Sequence, residues 1–146
     1  MNKIKKTYYS NLSEKDKKKQ ISMIEKSRRM YKKGKYFTRN KLNYPIKISP
    51  HILRAQKLYG VKIIPSKELA EKTGCSLSAL KQIVKKGEGA YYSSGSRPSQ
   101  TAHSWAYARL ASAVSGGKAS KVDFHIIQTC NKTKKAYKLA NKLMKK

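Results

Sequence analysis

Apolar residues recur along much of the chain at intervals of three and four, the spacing that places them on one face of an α-helix. Ser13 stands where a helix N-cap is expected, and the helical pattern that follows ends at Gly34. A short second helix is predicted to begin at the Ser49-Pro50 pair and to end at Gly60. The pattern therefore predicts a mainly α protein that contains small helices.

Turn-forming stretches separate these helices from later ones. Residues 35–48 mix Lys and Arg with aromatic residues and contain Pro45, so they predict an extended arm. Residues 87–99, GEGAYYSSGSRPS, predict an ordered loop. Residues 101–114 are rich in Ala and predict a buried helix with Trp105 as its central packing residue.

These elements define a predicted domain organisation. A helical core at residues 48–130 is flanked by a basic helix and arm at 1–47 and by a Lys-rich amphipathic tail at 131–146. Within the core, we expect a helix-turn-helix at 66–86, followed at 87–123 by a block that carries the Gly-Ser-Arg-Pro sequence and the tryptophan. The prediction is a small helical domain with basic extensions at both ends.

The sequence SKELAEKTGCSLSALKQIVKKG has the spacing of a helix-turn-helix and resembles the Cro and repressor type of that motif. Ala70 allows two helices to cross closely, Gly74 suits a turn with positive φ, and Ser76 can cap the second helix. The residues expected to fill the shared core are Leu69, Leu80 and Ile83. The segment thus predicts two helices joined by a tight turn.

A helix-turn-helix of this type places its second helix in the major groove of DNA. The side chains expected to face DNA are Ser76, Ser78, Lys81, Gln82, Lys85 and Lys86. Lysines contact phosphates, whereas Ser and Ala discriminate poorly between bases, so little sequence preference is expected. The alternative is an ordinary helical hairpin that serves as a scaffold.

Composition points to an acidic partner. The 146 residues include 35 Lys and Arg but only 7 Asp and Glu, which gives a formal net charge of +28. Such a charge opposes compaction and attracts polyanions, because self-repulsion decreases when counter-charge is supplied. A hydrophobic fraction of 38% still suffices for a small core. We therefore expect DNA to be the partner, contacted through its phosphate backbone.

A second candidate contact lies in the basic arm and the helix before it. Basic side chains interleaved with aromatic rings suit phosphate contact combined with packing on sugars or bases. The predicted contacts are Arg28, Arg29, Lys32, Lys33, Lys35, Tyr36, Arg39, Lys41 and, from the later loop, Arg97. The alternative is that this stretch is a solvated run of charge.

Enzymatic function is not expected. Gly117-Lys118 is followed by Ala119 where a P-loop needs Ser or Thr, and no glycine stands five residues before Gly117. The three histidines and two cysteines lack the spacing of a zinc site. We therefore predict neither a catalytic residue nor a metal nor a cofactor.

The stretch between residues 87 and 123 is nearly neutral and offers two carboxylates. Glu88 is expected to be exposed, whereas Asp123 is expected to pair with Arg109 or Arg97 inside the fold, because a desolvated charge needs a partner. This favours a structural role for the stretch over a mechanism that uses two carboxylates.

Cysteine usage and hydropathy indicate the compartment. Cys75 and Cys130 form no CxxC pair and could make at most one disulfide, which we interpret as a sign of a reducing compartment. No apolar run approaches the ~20 residues that a membrane span needs, and residues 1–9 lack the apolar region of a secretion signal. We expect a soluble protein that has no membrane partner and is not exported.

Residues 89–118, GAYYSSGSRPSQTAHSWAYARLASAVSGGK, resemble an uncharacterised domain family of large DNA viruses of algae and protists and, more distantly, of tailed phages. The matching residues are Gly89, Ser94, Gly95, Arg97, Pro98, Trp105, Ala108, Arg109, Gly116, Gly117 and Asp123. The likeness to the giant-virus members covers about residues 27–127, whereas phage members share mainly the Gly-Ser-Arg-Pro to Gly-Gly block and often carry Gly in place of Ser99. The resemblance implies a viral origin and a place in the virion, and in the host cytoplasm or viral factory during infection, without implying a mechanism.

Charge, motif and resemblance together predict a virion-associated protein that binds DNA with low sequence specificity and packages or condenses the genome. One alternative is a minor capsid or cement protein whose basic arms contact acidic capsid subunits. A second alternative is a helix-turn-helix transcription regulator, which would need base-reading side chains, whereas the second helix offers chiefly Ser, Ala, Lys and Gln.

Overall fold

The computed structural model describes residues 3–40, 42, 44, 48–98 and 100–146. Within these ranges it is mainly helical, as the sequence predicted, and contains no β-strand. A 3-10 turn at Lys6–Tyr8 precedes the helices α1 (Glu14–Lys32), α2 (Pro50–Tyr59), α3 (Lys67–Thr73), α4 (Leu77–Ser93), α5 (Ala102–Val114), α6 (Lys118–Val122), α7 (Phe124–Ile127) and α8 (Lys135–Met144). Among the helices described, none has the length and apolar character needed to span a lipid bilayer.

Local hydrogen bonds set the helix ends where the sequence predicted them. The Ser13 hydroxyl accepts from the Asp16 backbone N–H over 3.2 Å at the start of α1. The Ser49 hydroxyl accepts from the His51 backbone N–H over 3.2 Å at the start of α2. Helix α1 ends two residues before Gly34, and α2 ends next to Gly60, close to the predicted positions. These caps satisfy backbone groups that a helix end otherwise leaves without partners.

Helix α4 is longer than the sequence predicted. The loop expected over residues 87–99 begins only after Ser93, because α4 continues through Gly87 and Gly89. Gly87 is buried, and a Cβ at this position would lie 2.6 Å from the Cα of Ala106 in α5. The close approach of two helices therefore requires glycine at position 87. The sequence pattern had instead suggested the start of a loop at this glycine.

The chain divides into two compact units. The first unit consists of Met1–Lys47 and Glu88–Trp105, and the second consists of Ile48–Gly87 and Ala106–Lys146. This division differs from the predicted one, in which the N-terminal segment and the Lys-rich tail only flanked a core. The N-terminal segment instead packs with residues from the middle of the chain, and the tail supplies a helix to the second unit.

In the first unit, α1 holds the turn that follows α4. Gln20 Nε2 donates to the backbone oxygen of Ser96 over 3.3 Å, and Ser27 Oγ donates to that of Tyr92 over 2.9 Å. Gly95 lies close to α1, since a Cβ there would be 3.2 Å from the Ile24 side chain. The Gly-Ser-Arg-Pro stretch is thus part of the packing of this unit.

Trp105 is not the central packing residue that the sequence predicted. It is half-buried in the first unit, where its ring meets that of Tyr8 edge to face with centroids 5.8 Å apart. The fully buried side chains of α5 lie further along the helix and include Leu110 and Val114, which belong to the core of the second unit. Large size marked Trp105 as a core residue, but burial depends on which face of the helix is covered.

The second unit contains the main apolar cluster. Leu69, Leu80 and Ile83 are fully buried in it, as predicted. Asp123 is 0% exposed and accepts from Arg109 Nε and Nη2 over 2.9 and 2.7 Å, which confirms one of the two predicted ion pairs. The buried carboxylate is therefore neutralised by a bidentate partner.

A disulfide joins Cys75 to Cys130, which are 55 residues apart in the sequence. It is the one pairing that the sequence allowed, but it departs from the free thiols expected of a reducing compartment. The bond lies in the second unit, between the turn that follows α3 and the segment that precedes α8. The start of the Lys-rich tail is thereby tied to the turn between α3 and α4.

Candidate nucleic-acid interface

Helices α3 and α4 form a pair whose connection is set by local hydrogen bonds. Ser66 Oγ accepts from the backbone N–H of Leu69 over 3.1 Å at the start of α3. Gly74 ends that helix with φ +78°, a conformation that residues with a Cβ rarely adopt. Ser76 Oγ accepts from the backbone N–H of Ala79 over 3.0 Å and caps α4, as predicted. The chain therefore passes from α3 to α4 within one tight turn.

One side of α4 is buried and the other is basic. The buried side chains of its first turns are Ala79, Leu80, Ile83 and Val84. The exposed side chains are Ser78, Lys81, Gln82, Lys85 and Lys86. A shallow groove on this face is lined by Leu77, Ser78, Lys81, Gln82 and Lys85. No acidic residue precedes Glu88 on this helix, so its exposed face is positively charged.

The amide of this face and the serine that caps the helix each make a hydrogen bond within α4 or its cap. Gln82 Nε2 donates to Ser78 Oγ over 3.4 Å, one helical turn earlier. The Ser76 oxygen is occupied by its capping role. A base edge would have to compete with these contacts, which lowers the sequence discrimination expected from this helix.

Two lysines that the sequence pattern did not single out lie near the turn between α3 and α4. The backbone N–H of Asn131 donates to the Gly74 oxygen over 2.8 Å. The side chain of Lys134 covers Gly74, since its Cγ would lie 2.6 Å from a Cβ at that position. Lys132 and Lys134 are both exposed. The Lys-rich composition of the tail signalled charge, but nothing in the local pattern indicated that it lies beside this turn.

In the first unit, four predicted contacts are exposed at the end of α1 and just beyond it. They are Arg29, Lys32, Lys33 and Lys35. Tyr36 follows them and is 70% exposed. Arg97, on the turn after α4, is also exposed. Residues 35–40 have no regular secondary structure, in agreement with the predicted arm, and Lys41 lies outside the described residues.

Two arginines predicted to contact nucleic acid are buried instead. Arg28 and Arg39 are each 7% exposed. Arg28 Nε and Nη2 donate to the backbone oxygen of Ser94 over 3.0 and 2.7 Å. Arg39 Nη1 donates to the backbone oxygen of Tyr91 over 2.9 Å and Nη2 to Ser96 Oγ over 2.7 Å. Burial lowers the pKa of Arg39. Both side chains stabilise the turn after α4, so we exclude them from the interface.

Three tyrosines lie together in the first unit, and we call Tyr31, Tyr36 and Tyr92 the tyrosine cluster. The rings of Tyr31 and Tyr92 are stacked, with centroids 6.2 Å apart and planes 11° from parallel. The Tyr36 ring lies 5.0 Å from that of Tyr92 and 6.2 Å from that of Tyr31. Of these three, Tyr36 alone was predicted from the sequence to contact nucleic acid. The other two were missed because they are far apart in the chain and no local spacing links them.

The acidic groups of the described residues are few, and one of them, Glu88, is in the last part of α4. Glu88 Oε1 lies 3.5 Å from Nδ1 of the exposed His103. No group of three or more His, Cys, Asp and Glu that could hold a metal ion occurs in the part of the chain that the structure describes. What the fold brings together is therefore basic and aromatic side chains.

Comparison with known proteins gives a family. The model described as "Family of unknown function (DUF5824)" matches residues 5–139. This range includes both the exposed face of α4 and the tyrosine cluster. No curated protein and no solved structure matches the chain.

Proposed function

The chain belongs to the family of unknown function DUF5824, and we propose that it binds DNA through the phosphate backbone with little sequence preference. The observation that carries this proposal is the exposed face of α4. There Lys81, Lys85 and Lys86 project from a helix whose opposite side is anchored in an apolar core. A rigid helix with a basic exposed face suits insertion into the major groove, which is flanked by two rows of phosphates.

The charge of the second unit supports the same proposal. By sequence, this unit contains 18 Lys and Arg but only 3 Asp and Glu. One of the three acids, Asp123, is buried against Arg109. Binding to a polyanion is favoured because each lysine that neutralises a phosphate releases condensed counterions into solution.

The helix pair suggests how the protein docks. We propose that α3 and α4 act as a helix-turn-helix, with the first turns of α4 in the groove and Lys85 and Lys86 on phosphates. Lys132 and Lys134, which lie near the turn, then reach the flanking backbone. These contacts position the protein on the duplex without reading its sequence.

Low specificity follows from the side chains available to base edges. Gln82 is the one long amide on this face, and its Nε2 is engaged by Ser78. Specific readout relies on bidentate contacts such as those of Arg with guanine or Gln with adenine. The face offers lysines and short hydroxyls instead, which favours a packaging or condensing role over that of a transcription regulator.

We further propose that the DNA is a viral genome and that the protein is carried in the virion. The support is the resemblance of residues 89–118 to proteins of large DNA viruses. Mass spectrometry of purified particles, separated into capsid shell and genome core, checks this location. Recovery with the genome is expected, and recovery with the shell alone would favour a minor capsid protein whose lysines meet acidic subunits.

The DNA interface is tested by reversing charge on α4. We expect the double variant Lys81→Glu/Gln82→Glu to lose at least about tenfold in affinity for a duplex of roughly 20 base pairs, measured by fluorescence anisotropy, because like charges would face phosphates. The matched control Lys118→Glu/Lys121→Gln changes the net charge equally, at exposed positions of α6 in the same unit. We expect the control to lose less than about threefold, because it changes only the long-range charge.

Salt dependence provides an internal check on this test. The slope of log affinity against log salt is about −0.9 per neutralised phosphate, so the parent should bind much more weakly at 200 mM than at 50 mM salt. The α4 variant should have a shallower slope, by about one for each lysine that no longer neutralises a phosphate. A folded α4 variant that binds as well as the parent would remove this helix from the interface.

A further inference from the structure

We propose that the tyrosine cluster stacks on unpaired bases, so that the protein also binds single-stranded nucleic acid through its first unit. This inference rests on the proposed function, since both require attraction to a polyanion, but it uses different residues. The cluster consists of Tyr31, Tyr36 and Tyr92, none of which belongs to the face of α4 described above.

The exposure of Tyr36 is the first observation. Its exposed fraction of 70% is the largest among the exposed large hydrophobic residues of the described chain. Its ring is tilted 46° and 47° from those of Tyr92 and Tyr31, so it contacts both without stacking on either. Burial of a tyrosine ring is favourable, yet the Tyr36 ring remains exposed to water beside two other rings. The arrangement leaves an aromatic surface open to a flat ligand.

The second observation is that the fold positions these rings. Tyr31 is in the last turn of α1, where its backbone oxygen accepts from the N–H of Gly34 over 3.0 Å. The backbone oxygen of Tyr92 accepts from Ser27 Oγ over 2.9 Å. Gly89 leaves room for the Tyr31 hydroxyl, which would lie 3.2 Å from a Cβ at that position. A platform that is ordered before binding needs less ordering of its side chains when a ligand arrives.

The third observation is the charge around the cluster. The exposed cations of this region are Arg29, Lys32, Lys33 and Lys35. By sequence, the first unit contains 17 Lys and Arg against 4 Asp and Glu. Burial raises the pKa of Tyr92, and Glu88 contributes a smaller effect in the same direction. The Glu88 carboxylate lies 3.5 Å from Nδ1 of His103. The surroundings therefore favour an anionic ligand and disfavour the quaternary ammonium groups that aromatic cages bind.

A nearby aromatic residue shows why Tyr36 is the available ring. Phe37 carries the ammonium group of Lys26 over its ring, 4.7 Å from the centroid. This cation occupies the π-face that a base would need. The Tyr91 ring is covered in the same way by the Arg39 guanidinium, at 3.8 Å. No cation–π contact of this kind involves Tyr36 among the described residues.

A ligand that combines negative charge with exposed flat rings is single-stranded nucleic acid. Stacking of bases on aromatic side chains contributes about 1–3 kcal/mol per base and tolerates any sequence. In a duplex, the faces of each base are covered by its neighbours, so the same rings could contact only the backbone. The cluster should therefore bind single strands in preference to double strands. Binding of a duplex by the exposed face of α4 should not depend on the cluster.

The experiment compares three ligands and three proteins by fluorescence anisotropy. The ligands are an oligothymidine of about 15 nucleotides, an abasic strand with the same number of phosphates, and a duplex of equal length. The proteins are the parent, Tyr36→Ala and Tyr36→Phe. Because Tyr36 is largely exposed, the Ala variant should remain folded, and circular dichroism checks this. The Phe variant keeps the ring without the hydroxyl.

We expect Tyr36→Ala to bind oligothymidine roughly 5- to 150-fold more weakly, the range that corresponds to about 1–3 kcal/mol. Its affinity for the abasic strand and the duplex should stay within about twofold of the parent, and Tyr36→Phe should bind all three ligands as the parent does. An oligouridine of the same length shows whether RNA and DNA strands are bound alike.

Other outcomes overturn the inference in separable ways. If Tyr36→Ala binds oligothymidine as tightly as the parent, or loses affinity equally for the abasic strand, the cluster is not a stacking site. That result leaves the duplex proposal standing, because Lys81→Glu/Gln82→Glu is read on the duplex. If the parent binds neither strand nor duplex, the proposed function and this inference both fail.

Discussion

Two glycines in α4 lie two residues apart and should respond in opposite ways to the same substitution. Replacing either by Ala improves the helix propensity of an interior position by roughly 0.5–1 kcal/mol. At Gly87 the new Cβ would lie 2.6 Å from the Cα and 3.0 Å from the Cβ of Ala106. At Gly89 the nearest atom is the Tyr31 hydroxyl, at 3.2 Å. The two sites differ because backbone atoms would have to move at Gly87, whereas the end of a side chain would move at Gly89.

The magnitudes follow from these contacts. The Cα of Ala106 is backbone of a neighbouring helix and cannot shift alone, so the overpacking at Gly87 should cost about 1–3 kcal/mol. With an overpacking cost of about 2 kcal/mol, the middle of that range, and a propensity gain of roughly 0.5–1 kcal/mol, Gly87→Ala should lower the free energy of unfolding by about 1–1.5 kcal/mol. The Tyr31 hydroxyl is the end of a flexible side chain that can move by a few tenths of an ångström. Gly89→Ala should thus be neutral or stabilising by up to about 1 kcal/mol.

Urea unfolding followed by circular dichroism at 222 nm measures both changes, with equal slopes as the condition for comparing midpoints. The unfolding midpoint of the parent should lie between those of the two variants, or equal that of Gly89→Ala. The close approach of α4 to Ala106 would be refuted if Gly87→Ala matched or exceeded the stability of the parent. A large loss of stability in Gly89→Ala would show instead that Gly89 is required for a reason other than its contact with Tyr31.

Two further predictions concern the second unit. Arg109→Met should destabilise it by about 3–5 kcal/mol, because the substitution leaves the carboxylate of Asp123 buried without a cation. The double variant Arg109→Met/Asp123→Leu should recover part of this loss. Thermal unfolding measures both changes, and an unchanged midpoint in the single variant would contradict the buried ion pair. Reduction of the Cys75–Cys130 disulfide should cost about 4 kcal/mol, from the chain entropy of a loop of 55 residues. Adding a thiol reductant should lower the unfolding midpoint of the parent and leave that of Cys75→Ser/Cys130→Ser unchanged, whereas no effect on the parent would argue against the bond.

Local sequence patterns were sufficient to predict α1, α2, α3 and α5, together with the start and the apolar side of α4. Ser13 and Ser76 cap helices through bonds to N–H groups three residues ahead, and such short-range contacts leave a signature in the local sequence. Leu80 and Ile83 face the core because the helical period places them on one side. The net charge, and with it the expectation of an acidic partner, also followed from counting residues alone.

Which basic and aromatic residues remain available to a ligand depends on contacts between distant parts of the chain. Arg28 and Arg29 are neighbours in a basic run, yet one is buried and the other exposed, because Arg28 finds the backbone oxygen of Ser94. Tyr31 stacks on Tyr92 although 61 residues separate them in the sequence. Burial of a charge depends on whether distant groups can replace its water, and stacking depends on which helices meet. Neither condition is reflected in the spacing of nearby residues, so the local sequence pattern could not predict which of these side chains are exposed.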